Sequence, residues 1–167
     1  MRLNLGAGAW QPDGYTGVDL EGADVTADLA VTPWPFESES ATDILASHVL
    51  EHFTRDDAWR FLGECYRILA PGGALWIAVP DLDKFIDCHL SGDFSPLGGY
   101  HWTSLDTLMG GGRFEPNPAQ RHRYMWCEAS LAWTLGIVGF KAQRVYHAHG
   151  PFNPRYEHIS LYVRAQK

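Results

Sequence analysis

A glycine-rich turn followed by an acidic residue is the first place where this sequence could do chemistry. The string Leu5-Gly6-Ala7-Gly8 follows a short apolar run, and Asp19 closes the next one, 11 residues after Gly8. Glycines after a strand let the backbone approach a ligand closely and leave amide groups available at the turn. A carboxylate at the tip of the next strand has two acceptor oxygens, which match the paired hydroxyls of a ribose. Together they predict a site for a ribose-containing ligand; the alternatives are a plain tight turn and a solvated acid.

The spacing between the turn and the acid narrows the class of ligand. In dinucleotide-binding folds the acid lies roughly 20 residues on, with a full helix between. Here the interval contains Pro12 and Gly14, and Gln11 stands where a third glycine is expected. The intervening helix must be very short or absent, which weakens a pyrophosphate site because such a site uses a helix N-terminus. S-adenosylmethionine (SAM) has no phosphate, so the spacing favours SAM over a dinucleotide.

A second chemically capable group is His48, Glu51 and His52, whose spacing matches the HxxEH motif of inverted zinc proteases. On a helix the two histidines would share a face, since they are four residues apart. The motif follows a buried-strand pattern, however, and the chain before Thr54 is too short for a long zinc-binding helix. We therefore expect these residues to pack and hydrogen-bond under the ligand pocket, with no metal, and keep a zinc hydrolase as a remote alternative.

A third group, Arg121-His122-Arg123-Tyr124, is the densest basic run in the chain. Arginine side chains match carboxylate or phosphate groups, so the run could hold an anionic substrate, or it could be a solvated surface. An oxygen nucleophile needs a general base, most naturally histidine. His122 is the first candidate for that base and His52 the second.

These candidates lie near the ends of predicted strands. Apolar or alternating runs predict strands at residues 2–5, 15–20, 24–29, 43–47, 74–79, 140–146 and 158–163. Seven strands in a sheet would bring four chain positions together at the carboxyl ends of adjacent parallel strands: Leu5, Asp19, Ser47 and Val79.

Two helices have clear boundary signals. Thr54 and Asp57 form a predicted capping box. The helix that follows has one apolar face and is expected to stop at the Pro-Gly-Gly of residues 71–73; the face comprises Ala58, Phe61, Leu62, Cys65, Tyr66 and Leu69. A second helix is predicted over residues 128–138 with Gly139 as its C-cap. Residues 83–125 lack steady periodicity and are predicted to form a lid or acceptor-pocket wall, with Tyr100, His101, Trp102 and the glycines at 110–112.

Strands alternating with helices predict an α/β fold with a mostly parallel, Rossmann-like sheet. The last two strands are close enough in sequence to form an antiparallel hairpin. The chain is therefore expected to be a single domain, residues 1–167, with a shortened first crossover and an antiparallel C-terminal hairpin.

Composition excludes several partners and compartments. A formal net charge of −7 argues against nucleic acid as the partner. The three cysteines form no CxxC pair, which disfavours zinc fingers and disulfide frameworks and suits a reduced cytoplasmic setting. The N-terminus has no signal-peptide pattern and no apolar run reaches the length of a membrane span, so no membrane association is expected. The oligomeric state is left open.

Several strings of this sequence resemble the short bacterial class I SAM-dependent methyltransferases. They are LNLGAG at 3–8, GYTGVDL at 14–20, ADL at 27–29, SHVLEHF at 47–53 and CYRILAPGGALWIAVPD at 65–81. The resemblance is strong over residues 2–81 and looser over residues 122–163. It implies glycines beside the methionine part of SAM, Asp19 on the ribose, Asp28 and Leu29 at the adenine, and Ser47 and His48 beside the sulfonium. The full implied cofactor set is Leu5, Gly6, Ala7, Gly8, Asp19, Leu20, Asp28, Leu29, Ser47 and His48.

The resemblance implies methyl transfer to a small-molecule acceptor, such as a sugar-like or natural-product compound. A non-catalytic SAM- or nucleotide-binding partner subunit is the alternative. Quinone-type O-methyltransferases carry a Glu-His pair similar to Glu51-His52, which in some of them helps to bind a divalent cation; this is a further alternative to a purely structural pair.

Overall fold

One seven-stranded sheet forms the centre of the protein. The computed structural model describes residues 1–97 and 121–167. Within these ranges the strands are β1 (Arg2–Leu5), β2 (Thr16–Asp19), β3 (Val25–Thr26), β4 (Ala41–Ser47), β5 (Leu69–Pro80), β6 (Lys141–Arg144) and β7 (Ser160–Gln166). All seven coincide with predicted strands, although the third is reduced to two residues.

The order of the strands in the sheet is β3-β2-β1-β4-β5-β7-β6. Pairing is parallel from β3 to β5, whereas β7 runs antiparallel to both β5 and β6. The predicted α/β class and the C-terminal hairpin are therefore confirmed. Residues 6–15, between β1 and β2, contain turns and no helix, so the shortened first crossover is confirmed as well. The chain order reverses between β1 and β4, and in open α/β sheets a ligand crevice lies at such a point, beyond the carboxyl ends of the strands.

Helix α1 (Arg55–Ile68) begins where the sequence predicted. The Thr54 hydroxyl oxygen accepts a hydrogen bond from the Asp57 amide at 3.2 Å and so satisfies an otherwise unpaired helical N–H. The predicted apolar face is buried at Ala58, Phe61, Leu62 and Cys65.

The end of α1 differs from the prediction. The helix ends at Ile68, and Leu69 already pairs with Ala41 as the first residue of β5. Asp43 next pairs with Ala74, so the Pro-Gly-Gly loops out of the β4–β5 ladder instead of stopping the helix. A Cβ on Gly73 would lie 2.9 Å from the Ala70 carbonyl oxygen and 3.1 Å from that of Thr42, which explains the glycine in this bulge.

Part of the stretch predicted to be irregular is helical. Helix α2 (Leu82–Ser91) begins at an Asp81 cap and ends at Gly92, whose φ is 71°. It buries Phe85 and Cys88, three residues apart on one face, and this narrow apolar stripe is too short to stand out as periodicity in the sequence. Residues 98–120, which include Tyr100, His101, Trp102 and the triple glycine of the predicted lid, lie outside the described residues.

Helix α3 (Glu128–Val138), with Gly139 at φ 115° as its C-cap, matches its prediction residue for residue. The described residues also contain four short 3₁₀ helices, at Leu50–His52, Ser95–Leu97, His147–His149 and Pro154–Ile159. The last of these holds His158, which the sequence had placed in the final strand; β7 begins only at Ser160.

The two faces of the sheet are covered differently. Helices α1 and α3 pack on one face, over the main core that includes Leu3, Leu5, Ile44 and Leu75. On the other face a smaller cluster contains Leu45, Ala78 and Tyr162, and loop aromatics cover it, chiefly Tyr15 and Phe152. Among the described residues, the centre of the sheet is therefore buried by α1 and α3 on one side and by loop aromatics on the other.

Candidate functional site

The glycine turn after β1 is held by β2 and by the chain after β4. Gly6 donates its amide hydrogen to the Val18 carbonyl at 2.8 Å and adopts a φ of +63°. A Cβ at this position would overlap the Val49 side chain. Gly6 is therefore required both by its backbone conformation and by its contact with the segment that follows β4.

Asp19 is joined directly to that turn. The Gly8 amide donates to Asp19 Oδ2 at 2.9 Å, and the Leu20 amide donates to Oδ1 at 2.7 Å. The carboxylate is half-buried at the carboxyl end of β2, next to β1. Each carboxylate oxygen has two acceptor positions, so each retains capacity for a further donor such as a ribose hydroxyl.

The remaining residues on the β2–β3 side differ in exposure. The Leu20 side chain is 58% exposed at the same edge of the sheet. Leu29 is buried and packs in the main core, whereas Asp28 is exposed and accepts from the Ala30 amide at 2.9 Å. Leu20 is thus a free apolar surface beside the Asp19 carboxylate, Leu29 supports the loop from below, and Asp28 holds a local turn.

The carboxyl end of β4 positions Ser47 and His48 beside the turn. His48 adopts a φ of +57°, and its amide donates to the Ala78 carbonyl at 2.8 Å, which turns the chain sharply out of the strand. The His48 ring is largely buried: Nε2 lies 2.7 Å from Ser160 Oγ, and Nδ1 lies 3.0 Å from Glu51 Oε1.

This backbone turn rules out the HxxEH helix. With His48 in a left-handed conformation and only Leu50–His52 helical, the two histidines of the motif do not lie on one face of a helix. The Nε2 atom of His48 is directed to Ser160 instead. The geometry of an inverted zinc protease is absent from this part of the described chain.

Residues 121–126 cross the same edge of the sheet. The Glu51 carbonyl accepts from the amides of Arg123 at 2.7 Å and Tyr124 at 3.3 Å. The Leu82 amide donates to the Trp126 carbonyl at 3.1 Å, and the Trp126 side chain is 1% exposed. The segment is therefore attached at one end to the turn after β4 and at the other to the start of α2, and it carries His122 into the site.

Three side chains meet where this segment contacts the turn: Glu51, His52 and His122. The rings of His52 and His122 are 5.1 Å apart between centroids, and His122 Nε2 lies 4.0 Å from Glu51 Oε1. Glu51 is 1% exposed. Burial by itself would raise the pKa of Glu51, but the positive charge available on His48, and to a lesser degree on His52 and His122, lowers it. Both histidines were predicted in the site from the sequence, whereas Glu51 was expected chiefly to support it, with a cation-binding Glu51-His52 pair as an alternative.

Asp81 serves the fold at the end of β5. Its carboxylate accepts from the Lys84 amide at 3.4 Å as the cap of α2, and its Oδ2 pairs with Arg144 Nη2 at 3.1 Å. The side chain is buried and engaged on both oxygens, one with the start of α2 and one with Arg144.

A surface cavity of about 300 Å³ lies at the opposite edge of the sheet. It is lined by Thr42, Asp43, the 70–74 loop and Arg164, near the amino end of β4. Because ligands of open α/β sheets bind at the carboxyl edge, the residues around Gly6 and Asp19 remain the candidate site.

The site therefore belongs to a Rossmann-like α/β protein, and the residues predicted to bind a ribose-containing ligand lie at the carboxyl edge of its sheet. The donor set fits SAM: an ionisable acid lies at the end of β2, a glycine turn at the end of β1, and an exposed apolar residue beside the acid. No phosphate-binding helix follows β1, and SAM requires none.

Comparisons with known proteins define the class further. A family model described as a methyltransferase domain matches residues 13–77. No curated protein matches the chain. A SAM-dependent methyltransferase from Archaeoglobus fulgidus is similar in structure, with a TM-score of 0.60 at 12% identity, over 99% of this chain and 85% of that one.

Two further structures extend this likeness. A Burkholderia thailandensis 1,6-didemethyltoxoflavin-N1-methyltransferase, with its substrate and S-adenosylhomocysteine bound, superposes with a TM-score of 0.56 at 21% identity, over 99% of this chain and 69% of that one. A chain of the complex between the Haloferax volcanii Trm112 methyltransferase activator and a methyltransferase superposes with a TM-score of 0.59 at 14% identity. The match covers 98% of this chain and 80% of that one. The protein has the class I SAM-dependent methyltransferase fold, the resemblance of its sequence is confirmed, and SAM is supported as its cofactor.

Within the described ranges, no helix combines the length and the apolar content needed to cross a bilayer.

Proposed function

We propose that this protein transfers a methyl group from SAM to a small-molecule acceptor. The observation that carries the proposal is the hydrogen bond from the Gly8 amide to Asp19, which fixes the glycine turn and the strand-end acid as one unit beside the β1–β4 reversal. A structural turn alone would not need an acid with spare acceptor capacity at this edge.

Different residues around that unit are proposed to contact different parts of the cofactor. Asp19 accepts from the ribose hydroxyls, and the open backbone at Gly6, Ala7 and Gly8, after Leu5, lies along the methionine part. Leu20 and Leu29, with Asp28, are assigned to the adenine side, and Ser47 and His48 to the side of the sulfonium. When bound, SAM supplies a methyl group already activated by positive charge, so the protein mainly has to orient the acceptor and exclude water.

An acceptor hydroxyl would also have to lose a proton. In the metal-free protein His122 is the first candidate for the base and His52 the second, because both rings lie where the 121–126 segment crosses the cofactor edge. The buried Glu51 carboxylate beside them would stabilise a protonated imidazole.

The proposed partners follow from charge and fold. A net charge of −7 disfavours nucleic acid and suits a small acceptor, and a cytoplasmic location is proposed with it. One structural neighbour was solved with a methyltransferase activator, so a role as the SAM-binding partner of another protein is the second candidate. Methyl transfer by the isolated protein separates the two: a catalyst turns over alone, and a partner subunit only after its partner is added.

Native mass spectrometry of the protein as purified tests the cofactor. SAM or S-adenosylhomocysteine carried through purification supports the proposal, and calorimetry should then show binding of both with much weaker binding of NAD. Asp19→Ala removes two charge-assisted acceptor contacts, roughly 2–4 kcal/mol, and is expected to weaken SAM binding at least tenfold.

Glu21→Ala is the matched control, because Glu21 is an exposed acid two residues from Asp19. It should leave SAM affinity within about twofold. Equal affinity of Asp19→Ala and the parent protein would remove the assignment of this edge as the cofactor site.

A further inference from the structure

The cluster of Glu51, His52 and His122 combines the donor types of an open transition-metal site. One potential ligand atom from each residue lies within 4.8 Å of the other two. Two imidazoles and one carboxylate form the ligand set of catalytic zinc sites, which leave further coordination positions for water or substrate. Metal–ligand bonds of about 2.1 Å place the ligand atoms of a tetrahedral site about 3.4 Å apart, so the three groups need to close by little more than about 1 Å.

The Glu51 carboxylate has one oxygen available for a further ligand. Its side chain is 1% exposed, and Oε2 has no hydrogen-bond partner among the described residues. The other oxygen, Oε1, lies 3.0 Å from His48 Nδ1, at ion-pair distance. Leaving a buried carboxylate in this state is costly, and such groups are ordinarily paired with a cation or bound to a metal.

The backbone around the cluster is arranged to hold the three ligands. His52 Nδ1 lies 3.4 Å from the Arg121 carbonyl, which can only accept, so in this contact Nδ1 is the donor and Nε2 is the nitrogen that would face a metal ion. Metal-binding histidines commonly donate their other ring N–H to a backbone carbonyl in this way. The hydrogen bonds from the Arg123 and Tyr124 amides to the Glu51 carbonyl fix the segment that carries His122 against the residue that supplies the carboxylate.

We propose that Glu51, His52 and His122 bind a divalent transition-metal ion such as Zn²⁺ at the carboxyl edge of the sheet. The ligand set differs from the HxxEH hypothesis, because His48 is directed to Ser160. It contains the Glu51-His52 pair kept as an alternative from the sequence and adds His122, from a segment 70 residues away from His52. The site does not depend on methyl transfer. It does exclude one assignment, because metal-bound His52 and His122 cannot act as general bases while the ion occupies their ring nitrogens.

The test is a zinc titration of the untagged, full-length protein, monitored by calorimetry with a competing chelator and checked by elemental analysis. The parent should bind one Zn²⁺ and discriminate against Mg²⁺, which prefers oxygen ligands. Glu51→Gln and His122→Asn should each weaken zinc binding by on the order of 100-fold or more, since outer-shell changes alone cost 10–100-fold. His89→Asn, which alters an exposed histidine on α2, should leave the affinity unchanged.

A spectroscopic readout covers the case in which a variant does not fold. Titration of the parent with Co²⁺ should give visible absorption bands of a site with mixed nitrogen and oxygen ligands, and Zn²⁺ should displace them. The proposal is overturned if the parent binds no stoichiometric zinc or cobalt. It is equally overturned if folded His122→Asn binds zinc as tightly as His89→Asn does.

Discussion

Replacing Gly6 with alanine tests the geometry of the cofactor turn without any ligand. Two separate costs are expected. An alanine held at a φ of +63° costs about 1–2 kcal/mol, and the loss of glycine flexibility in the unfolded chain returns about 0.4–1 kcal/mol. The new methyl group would also overlap Val49, which is 7% exposed and cannot move away freely, and such overpacking costs about 1–3 kcal/mol.

Gly8 provides a matched control two residues further along the same turn. Its φ is +52°, yet no atom lies within 4 Å of a Cβ built on it. Gly8→Ala should therefore carry only the conformational cost, about 1 kcal/mol, whereas Gly6→Ala should cost about 2–4 kcal/mol. Urea unfolding of the cofactor-free protein at neutral pH measures both values.

A double-mutant cycle with Val49→Ala isolates the steric part. Removing the Val49 methyl groups should relieve the overlap, so the Gly6→Ala/Val49→Ala protein should be more stable than additivity predicts, by about 1–3 kcal/mol. Equal destabilisation by Gly6→Ala and Gly8→Ala, or a coupling energy near zero between Gly6 and Val49, would show that the contact between the turn and the chain after β4 is not as described.

Two further changes test how the elements behind the site are held. Thr54→Ala removes the side-chain acceptor for the Asp57 amide at the start of α1 and should lower the free energy of unfolding in urea by about 1 kcal/mol. Thr26→Ala, at an exposed position, is the control. An equal loss of stability in both variants would argue against the cap. Glu64 has a lowered pKa, caused first by the hydrogen bond from Arg67 and also by the amide of Trp34, although burial opposes it. Its contribution is therefore fully present above the ordinary glutamate range and is lost as the pH falls through the lowered value. Glu64→Gln should cost about 1–2 kcal/mol at pH 7 and flatten the loss of stability as the pH falls below the ordinary glutamate range, measured as urea midpoints against pH. An unchanged slope would contradict the assignment.

The sequence alone identified most of the fold and one side of the site. The glycine turn, Asp19 and the short interval between them predicted the first two strands and the missing crossover helix, because each signal acts within a few residues. Thr54 and Gly139 marked helix ends for the same reason: a side-chain acceptor at an N-cap or a glycine with positive φ has its effect locally. Alternation of apolar runs then led to the sheet and its antiparallel hairpin.

Contacts between segments far apart in the sequence were decided only by the tertiary structure. Asp81 follows a strand at the ligand edge, but its roles depend on a helix the sequence did not reveal and on Arg144, 63 residues away. The grouping of Glu51 with His122 depends on residues 121–126 crossing the sheet edge and on amides that donate to the Glu51 carbonyl. Spacing along the chain carries no information about such a meeting, since it arises from packing and backbone hydrogen bonds formed only when the whole sheet has assembled.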